Sequence, residues 1–360
     1  MKQSALYSTI LFLLLFISCR KSNSRIINDE GQNQQPQKMQ HVIASGNKLI
    51  KEDGKSFRVW GFNWGNGMLE DHWNNDWSGL VGDFKEMSEY GANTVRLPLQ
   101  YEAFMKNATT PNQQSLNKLK QLIKVAEDNK LYLIVSGLNA FEKQSQPAWY
   151  NNMTDDERWA TQAVFWEAIA GAIGKSPAVL AYDLMNEPVV AVDPANGWLP
   201  GAAFGGYYFV QNIALNTNGR TTVELMRQWI QKMTQAIRKK DSKHLITVGF
   251  LPFHTFAQFA PDLGMMSTHL YPKTGETDKD ALSIQKFLSD KPLIISEIFP
   301  LNCSDVELQQ FIVEQNKNVS GWVSHYNGKT LEELQASGTI PDAIYRAALL
   351  KFIEMAPTQK

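Results

Sequence analysis

Cysteine is almost missing from this 360-residue chain, which has only Cys19 and Cys303, so neither a disulfide framework nor a cysteine-rich metal site can form. Histidine is scarce as well, six in all and no two in His-x-His spacing, which removes the ligand pattern of a metal-dependent barrel hydrolase. Charge of one sign is lacking, because 35 Lys and Arg offset 36 Asp and Glu to a formal −1. The basic residues are scattered rather than gathered into the stripe that nucleic acid requires, so no nucleic-acid partner is expected. A glycine-rich phosphate loop is absent too, since "GFNWGNGMLEDHW" places aromatics where one would follow the first strand-like run. No cofactor and no metal are expected.

The chain does contain enough apolar residues for a large core, at 43% hydrophobic and 11% aromatic, a composition that excludes a disordered chain. One compact apolar run, Ile10 to Ile17, follows Met1-Lys2 and a short polar segment and ends at Ser18-Cys19. It is short for a membrane span and has the layout of a secretory signal. The placement of Cys19 resembles a bacterial lipoprotein signal, which implies cleavage and acylation at Cys19. Its "LFISC" departs from the commonest form of that signal at Ile17-Ser18, and a plain secretory signal is the competing reading. Residues 20–40 are polar and lack aromatics, so they read as a disordered tether. The expected layout is a signal over 1–19, the tether over 20–40 and a folded domain over 41–360, exported and lipid-anchored to a bacterial membrane.

From His41 onward, eight short apolar runs recur: "FRVWGFN", "ANTVRLP", "LYLIVSG", "VLAYDLMN", "HLITVGF", "GMMSTHL", "PLIISEI" and "SGWVSH". Runs of this kind are strands covered on both faces. Stretches with helical spacing separate them, among them "DERWATQAVFWEAIAGAIGK" and "TTVELMRQWIQKMTQAIRKK"; between the fifth and sixth strands only "FHTFAQFAP" offers a short helix. Eight strand and helix alternations predict a single-domain α/β fold, a (β/α)8 TIM barrel. A doubly wound open sheet shares the alternation, but the missing phosphate loop favours the barrel.

In such a barrel, chemistry gathers at the C-terminal strand ends. Those ends carry Asn63, Arg96, Asn139, Asn186 with Glu187, His269 with Tyr271, Glu297, and Trp322 with His325. Glu187 and Glu297 close the fourth and seventh strands, and only barrel closure would bring their carboxyl groups across one cleft. Two facing carboxylates are the minimum equipment for cleaving a glycosidic bond: one protonates the leaving oxygen, the other attacks or activates water.

"TVRLP" with Arg96, "LMNEP" with Asn186 and Glu187, "STHLYP" with His269 and Tyr271, "IISEIF" with Glu297 and "GWVSHY" with Trp322 together resemble glycoside hydrolase family 5, the cellulase-like retaining β-glycanases, over about residues 45 to 350. The resemblance implies Glu187 as acid/base and Glu297 as nucleophile, with carboxyl groups about 5 to 5.5 Å apart. It also implies substrate contacts from Arg96, Asn139, Asn186, His269, Tyr271 and Trp322. Arg96 would keep Glu297 ionised, Asn186 would bond the sugar 2-hydroxyl, and Pro188 would fix the turn that presents Glu187. The like charge of Glu297 would raise the pKa of Glu187. The family usually has His at the end of the third strand, where this chain has Asn139, which cannot carry a proton. The expected activity is hydrolysis of β-glucan or β-mannan type glycans by a monomer; the alternative is an inactive glycan-binding barrel. A Schiff-base aldolase is disfavoured because no strand end presents a Lys.

Six loop or strand-end tryptophans, Trp64, Trp73, Trp77, Trp149, Trp198 and Trp322, are candidates for stacking on sugars, whereas Trp159, Trp166 and Trp229 sit on helical stretches and read as core. The long segment 192–219 reads as a loop walling the cleft beside Glu187.

Overall fold

Each of the eight apolar runs forms a strand of one parallel sheet: β1 (Val59–Trp64), β2 (Thr94–Gln100), β3 (Tyr132–Asn139), β4 (Val179–Asn186), β5 (Leu245–Gly249), β6 (Met266–His269), β7 (Leu293–Glu297) and β8 (Gly321–Tyr326). The computed structural model describes residues 38–65, 73, 75–190, 197–203, 206–252 and 256–359. The expected signal, Cys19 and the tether up to residue 37 lie outside the described residues. The hydrogen-bonded order is β5-β4-β3-β2-β1-β8-β7-β6. The two ends meet through Phe250, which bridges to Thr268 and accepts from the His269 backbone N–H at 2.9 Å. The sheet thus curls into the (β/α)8 barrel, and nearly every strand residue is buried, as continuous apolar runs require.

Among the described residues, seven long helices coat the barrel: α1 (Trp77–Glu89), α2 (Gln113–Asp128), α3 (Asp155–Ile173), α4 (Thr222–Arg238), α5 (Thr277–Gln285), α6 (Asp305–Gln315) and α7 (Ile340–Met355). Capping boxes start α3, α4 and α6, pairing Thr154 with Glu157, Thr221 with Glu224 and Ser304 with Glu307. Each satisfies two backbone donors that a helix start leaves open. Along α4, Leu225, Met226, Trp229, Ile230, Met233 and Ile237 form the buried stripe, the three- and four-residue spacing that lays one helix face on the sheet. Between β5 and β6, the helix is a 3-10 turn, Phe256–Asp262, containing Pro261, which has no N–H to continue a ladder.

An antiparallel ribbon, Val42–Ser45, Lys48–Lys51 and Ser56–Phe57, precedes β1. Its Val42, Leu49 and Phe57 cluster with Tyr132, Ile134, Leu180 and Leu245 from the first halves of β3, β4 and β5. Apolar packing therefore stoppers the N-terminal mouth and leaves the opposite rim for polar residues. At the seam of first and last units, Trp60 stacks on Phe352 of α7 with ring centres 3.9 Å apart. Trp159, Trp166 and Trp229 are core residues, at most 5% exposed. Among the described residues, no helix is long and apolar enough to cross a membrane.

Candidate active site

A buried arginine organises the open rim. Arg96, inside β2 and 2% exposed, donates to Glu297 at 2.7 Å, Asp183 at 2.8 Å, Asn63 and Asn186 at 2.9 Å and Ser136 at 3.2 Å. A planar guanidinium with five N–H donors can serve five partners on four strands at once, which a lysine ammonium cannot. Asp183 also accepts from the Gly249 backbone N–H at 2.7 Å. Gly249 allows this approach: a Cβ there would stand 2.8 Å from His269 Nε2, 2.9 Å from Arg96 and 3.2 Å from Asp183.

Glu187 and Glu297 face each other above this hub. With His269 they form a group in which each offers an atom within 4.8 Å of the others. It is also the one such group among the described residues close enough to share a cation, although its members are already hydrogen-bonded. His269 Nδ1 lies 2.8 Å from Glu187 Oε1 and 3.5 Å from Glu297 Oε2. Tyr271 donates its hydroxyl to Glu297 Oε2 at 2.6 Å, and His325 Nε2 is 3.0 Å from that hydroxyl. Burial alone would raise the Glu297 carboxyl, but His269, Arg96 and His325 and the Tyr271 donor outweigh it and hold Glu297 well below the usual carboxylate range. Burial, followed by the Glu297 charge, raises the Tyr271 phenol well above its ordinary value.

The backbone at Glu187 is unusual. Its φ is +46°, in the left-handed region that only glycine enters freely, at a cost of about 1 to 3 kcal/mol. Both sides of the peptide are held: Glu187 N–H donates to the Gly249 carbonyl at 2.9 Å, and its carbonyl accepts from Gln211 N–H at 3.2 Å. Pro188 and Val189 then pair in parallel with Gln211 and Asn212. The Asn-Glu-Pro sequence is therefore a one-residue kink that ends β4 and turns the carboxylate over the cleft.

The cleft has a volume of about 540 Å3 and is bordered by Arg96, Asn186, Glu187, Tyr271, Glu297 and His325 among others. His269 lies beneath it, 1% exposed and bonded to Glu187. Two expectations need correction. Trp322 is at the start of β8, not its rim; it is wholly buried, edge-on to Phe311, with its indole N–H on Asn316 at 2.8 Å. Asn139 is also fully buried, donates to the Ser136 carbonyl at 2.8 Å and does not border the cleft. Leu138 at φ +55° turns the chain there, and Phe141 takes the cleft position.

Packing also claims the loop tryptophans. Trp64 donates to Asp83 at 2.7 Å, Trp198 lies under the Arg158 guanidinium and donates to the Asn151 carbonyl at 3.1 Å, and Trp73 meets Trp77 edge-on. Trp149 packs on Tyr101 and Tyr150. Trp64 nevertheless borders the cleft, whose other aromatic walls include Phe141, Phe209, Phe299, Tyr326 and Tyr345. Asp183 was missed in the sequence, although an Asp inside one buried strand and an Arg inside another signal an ion pair, since neither charge can be buried alone.

A (β/α)8 barrel with paired carboxylates over a buried arginine at its C-terminal rim is a glycosidase architecture. Residues 50–328 match the family model described as cellulase, glycosyl hydrolase family 5; the chain belongs to this family and is a β-glycan hydrolase. Similar solved structures include an exo-β-1,4-mannosidase from an Opitutaceae bacterium, strain TAV5, at 15% identity and TM-score 0.66, covering 88% of this chain and 62% of that one. A β-glucanase from Saccharophagus degradans, solved with cellotetraose, has 18% identity and TM-score 0.62 over 92% of this chain and 100% of its own. An endo-1,4-β-mannanase from Eisenia fetida has 16% identity and TM-score 0.62 over 88% and 95%. Identities this low show the shared fold. No curated protein matches the chain.

Proposed function

We propose that the chain hydrolyses β-glucan or β-mannan type glycans with retention, by double displacement. Glu187 gives its proton to the glycosidic oxygen while a Glu297 oxygen attacks the anomeric carbon, so the glycosidic bond breaks as an ester to Glu297 forms. Glu187, now a carboxylate, takes a proton from water; the water oxygen attacks the same carbon and releases Glu297. The observation that carries this reading is the facing pair: an oxygen of Glu187 lies within 4.8 Å of an oxygen of Glu297, a close approach of the kind that retention uses. The roles divide by environment. Arg96 is on Glu297 rather than Glu187, which favours the ionised nucleophile, and the raised Tyr271 phenol keeps its proton on that carboxylate.

Reducing-sugar release from β-glucans, mannans and xylans tests this, with Glu187→Gln and Glu297→Gln alongside. Activity lost in both variants is expected. Tight glycan binding without release by the unaltered protein would favour the inactive glycan-binding barrel. For export, we infer that Cys19 is acylated: Cys19→Ser is expected to move the protein from the membrane to the soluble fraction, and unchanged membrane association would refute the anchor.

A further inference from the structure

His325, next to last in β8, borders the cleft that Trp322 does not reach. Its imidazole stacks on Tyr271, with ring centres 6.1 Å apart and planes at 16°. Phe299 meets it edge-on at 5.8 Å, and its carbonyl accepts the Tyr345 hydroxyl at 2.6 Å. Packing therefore fixes both ring and backbone, which is more than chance proximity to a tyrosine would require.

Tyr271 has a single hydroxyl proton and two neighbours that could take it, Glu297 Oε2 at 2.6 Å and His325 Nε2 at 3.0 Å. The outcome depends on the histidine tautomer. With a bare Nε2, His325 would compete for the proton and could strip Glu297 of a donor. With a hydrogen on Nε2, His325 donates to the tyrosine oxygen, and the phenol proton has only the carboxylate to go to. Burial lowers the His325 pKa below its ordinary value, although the Glu297 charge opposes this, so the ring carries one hydrogen at neutral pH.

We propose that His325 is a positioning residue for the nucleophile: its Nε2–H occupies the Tyr271 oxygen and so commits the Tyr271 proton to Glu297. This rests on Glu297 as nucleophile. His325 acts through Tyr271, so its removal should matter only while Tyr271 is present.

The test is a cycle of Tyr271→Phe, His325→Leu and the double variant, with kcat and KM measured on cellotetraose and mannotetraose. His325→Leu is expected to lower kcat about tenfold, the effect of one hydrogen bond to a charged network, with KM changed less than about threefold. The double variant should match Tyr271→Phe within about twofold. His325→Gln, whose amide N–H can replace the ring donor, should recover most of the loss. Losses that multiply, a loss confined to KM, or a glutamine variant no better than leucine would each overturn the proposal. Nitrogen-15 NMR of the unaltered protein decides it without any variant: Nε2 protonated and Nδ1 bare is expected, and the reverse tautomer overturns it. Inactivity of the unaltered protein on both sugars would count against the glycan reading, while the tautomer would still be readable.

Discussion

Replacing Arg96 by methionine would leave two carboxylates, Asp183 and Glu297, in the rim without their shared cation. Their side chains are 1% and 13% exposed, against 2% for Arg96, so water cannot substitute for the guanidinium. Breaking a buried pair by removing one partner costs about 3 to 5 kcal/mol, because the remaining charge stays desolvated. At this chain length each kcal/mol shifts Tm by about 2 °C, so the variant should melt roughly 6 to 10 °C lower. The loss depends on pH in a definite direction. The folded protein holds Glu297 below its ordinary value, so this pairing contributes stability that is full above about pH 4.3 and is lost as pH falls through the depressed folded value. The gap between the two proteins should therefore be widest near pH 7 and narrow below about pH 4. Near-UV circular dichroism melts over this pH range measure it. A gap under about 1 kcal/mol at pH 7, or one independent of pH, would refute the claim that Arg96 neutralises these carboxylates.

Other changes have equally definite outcomes. Tyr271→Phe removes a donor that lowers Glu297, so the acid limb of the kcat/KM profile should move to higher pH, with kcat down about 10- to 100-fold; an unmoved limb would contradict the role given to Tyr271. Gly249→Ala puts a methyl group against His269 and Arg96 and should cost about 1 to 3 kcal/mol with a sharp fall in kcat; chemical denaturation with activity assays would expose a harmless substitution. Thr154→Ala dismantles the capping box of α3 and should cost about 1 kcal/mol with kcat unchanged, so a variant with altered kcat would show that α3 is coupled to the site.

The barrel was legible because each buried strand had to be a continuous apolar run. All eight runs are strands, and the described part of "FHTFAQFAP", from Phe256 on, is a 3-10 turn. Glu187, Glu297, Arg96, Asn186 and Tyr271 could be located because a charged or polar group at the end of such a run has few purely structural uses. The misplacements have physical causes. The sequence does not mark how far a strand runs, so Trp322 and His325 both read as rim residues, whereas Trp322 is second in β8 and His325, three positions later, reaches the cleft. Asn139 is turned inward by a left-handed residue before it, and side-chain identity does not announce such a φ angle. Tryptophans are ambiguous for a related reason: Trp64 and Trp198 both find partners for their indole N–H groups in the interior, yet Trp64, at the end of β1, also borders the cleft and Trp198 does not.

The stereochemistry of the first product tests the central claim most directly. Proton NMR during hydrolysis of cellotetraose or mannotetraose, before mutarotation, reads the anomer released. The spacing of Glu187 and Glu297 predicts the β-anomer, formed through an ester on Glu297. Initial release of the α-anomer would show single displacement and contradict the assignment of Glu297 as nucleophile.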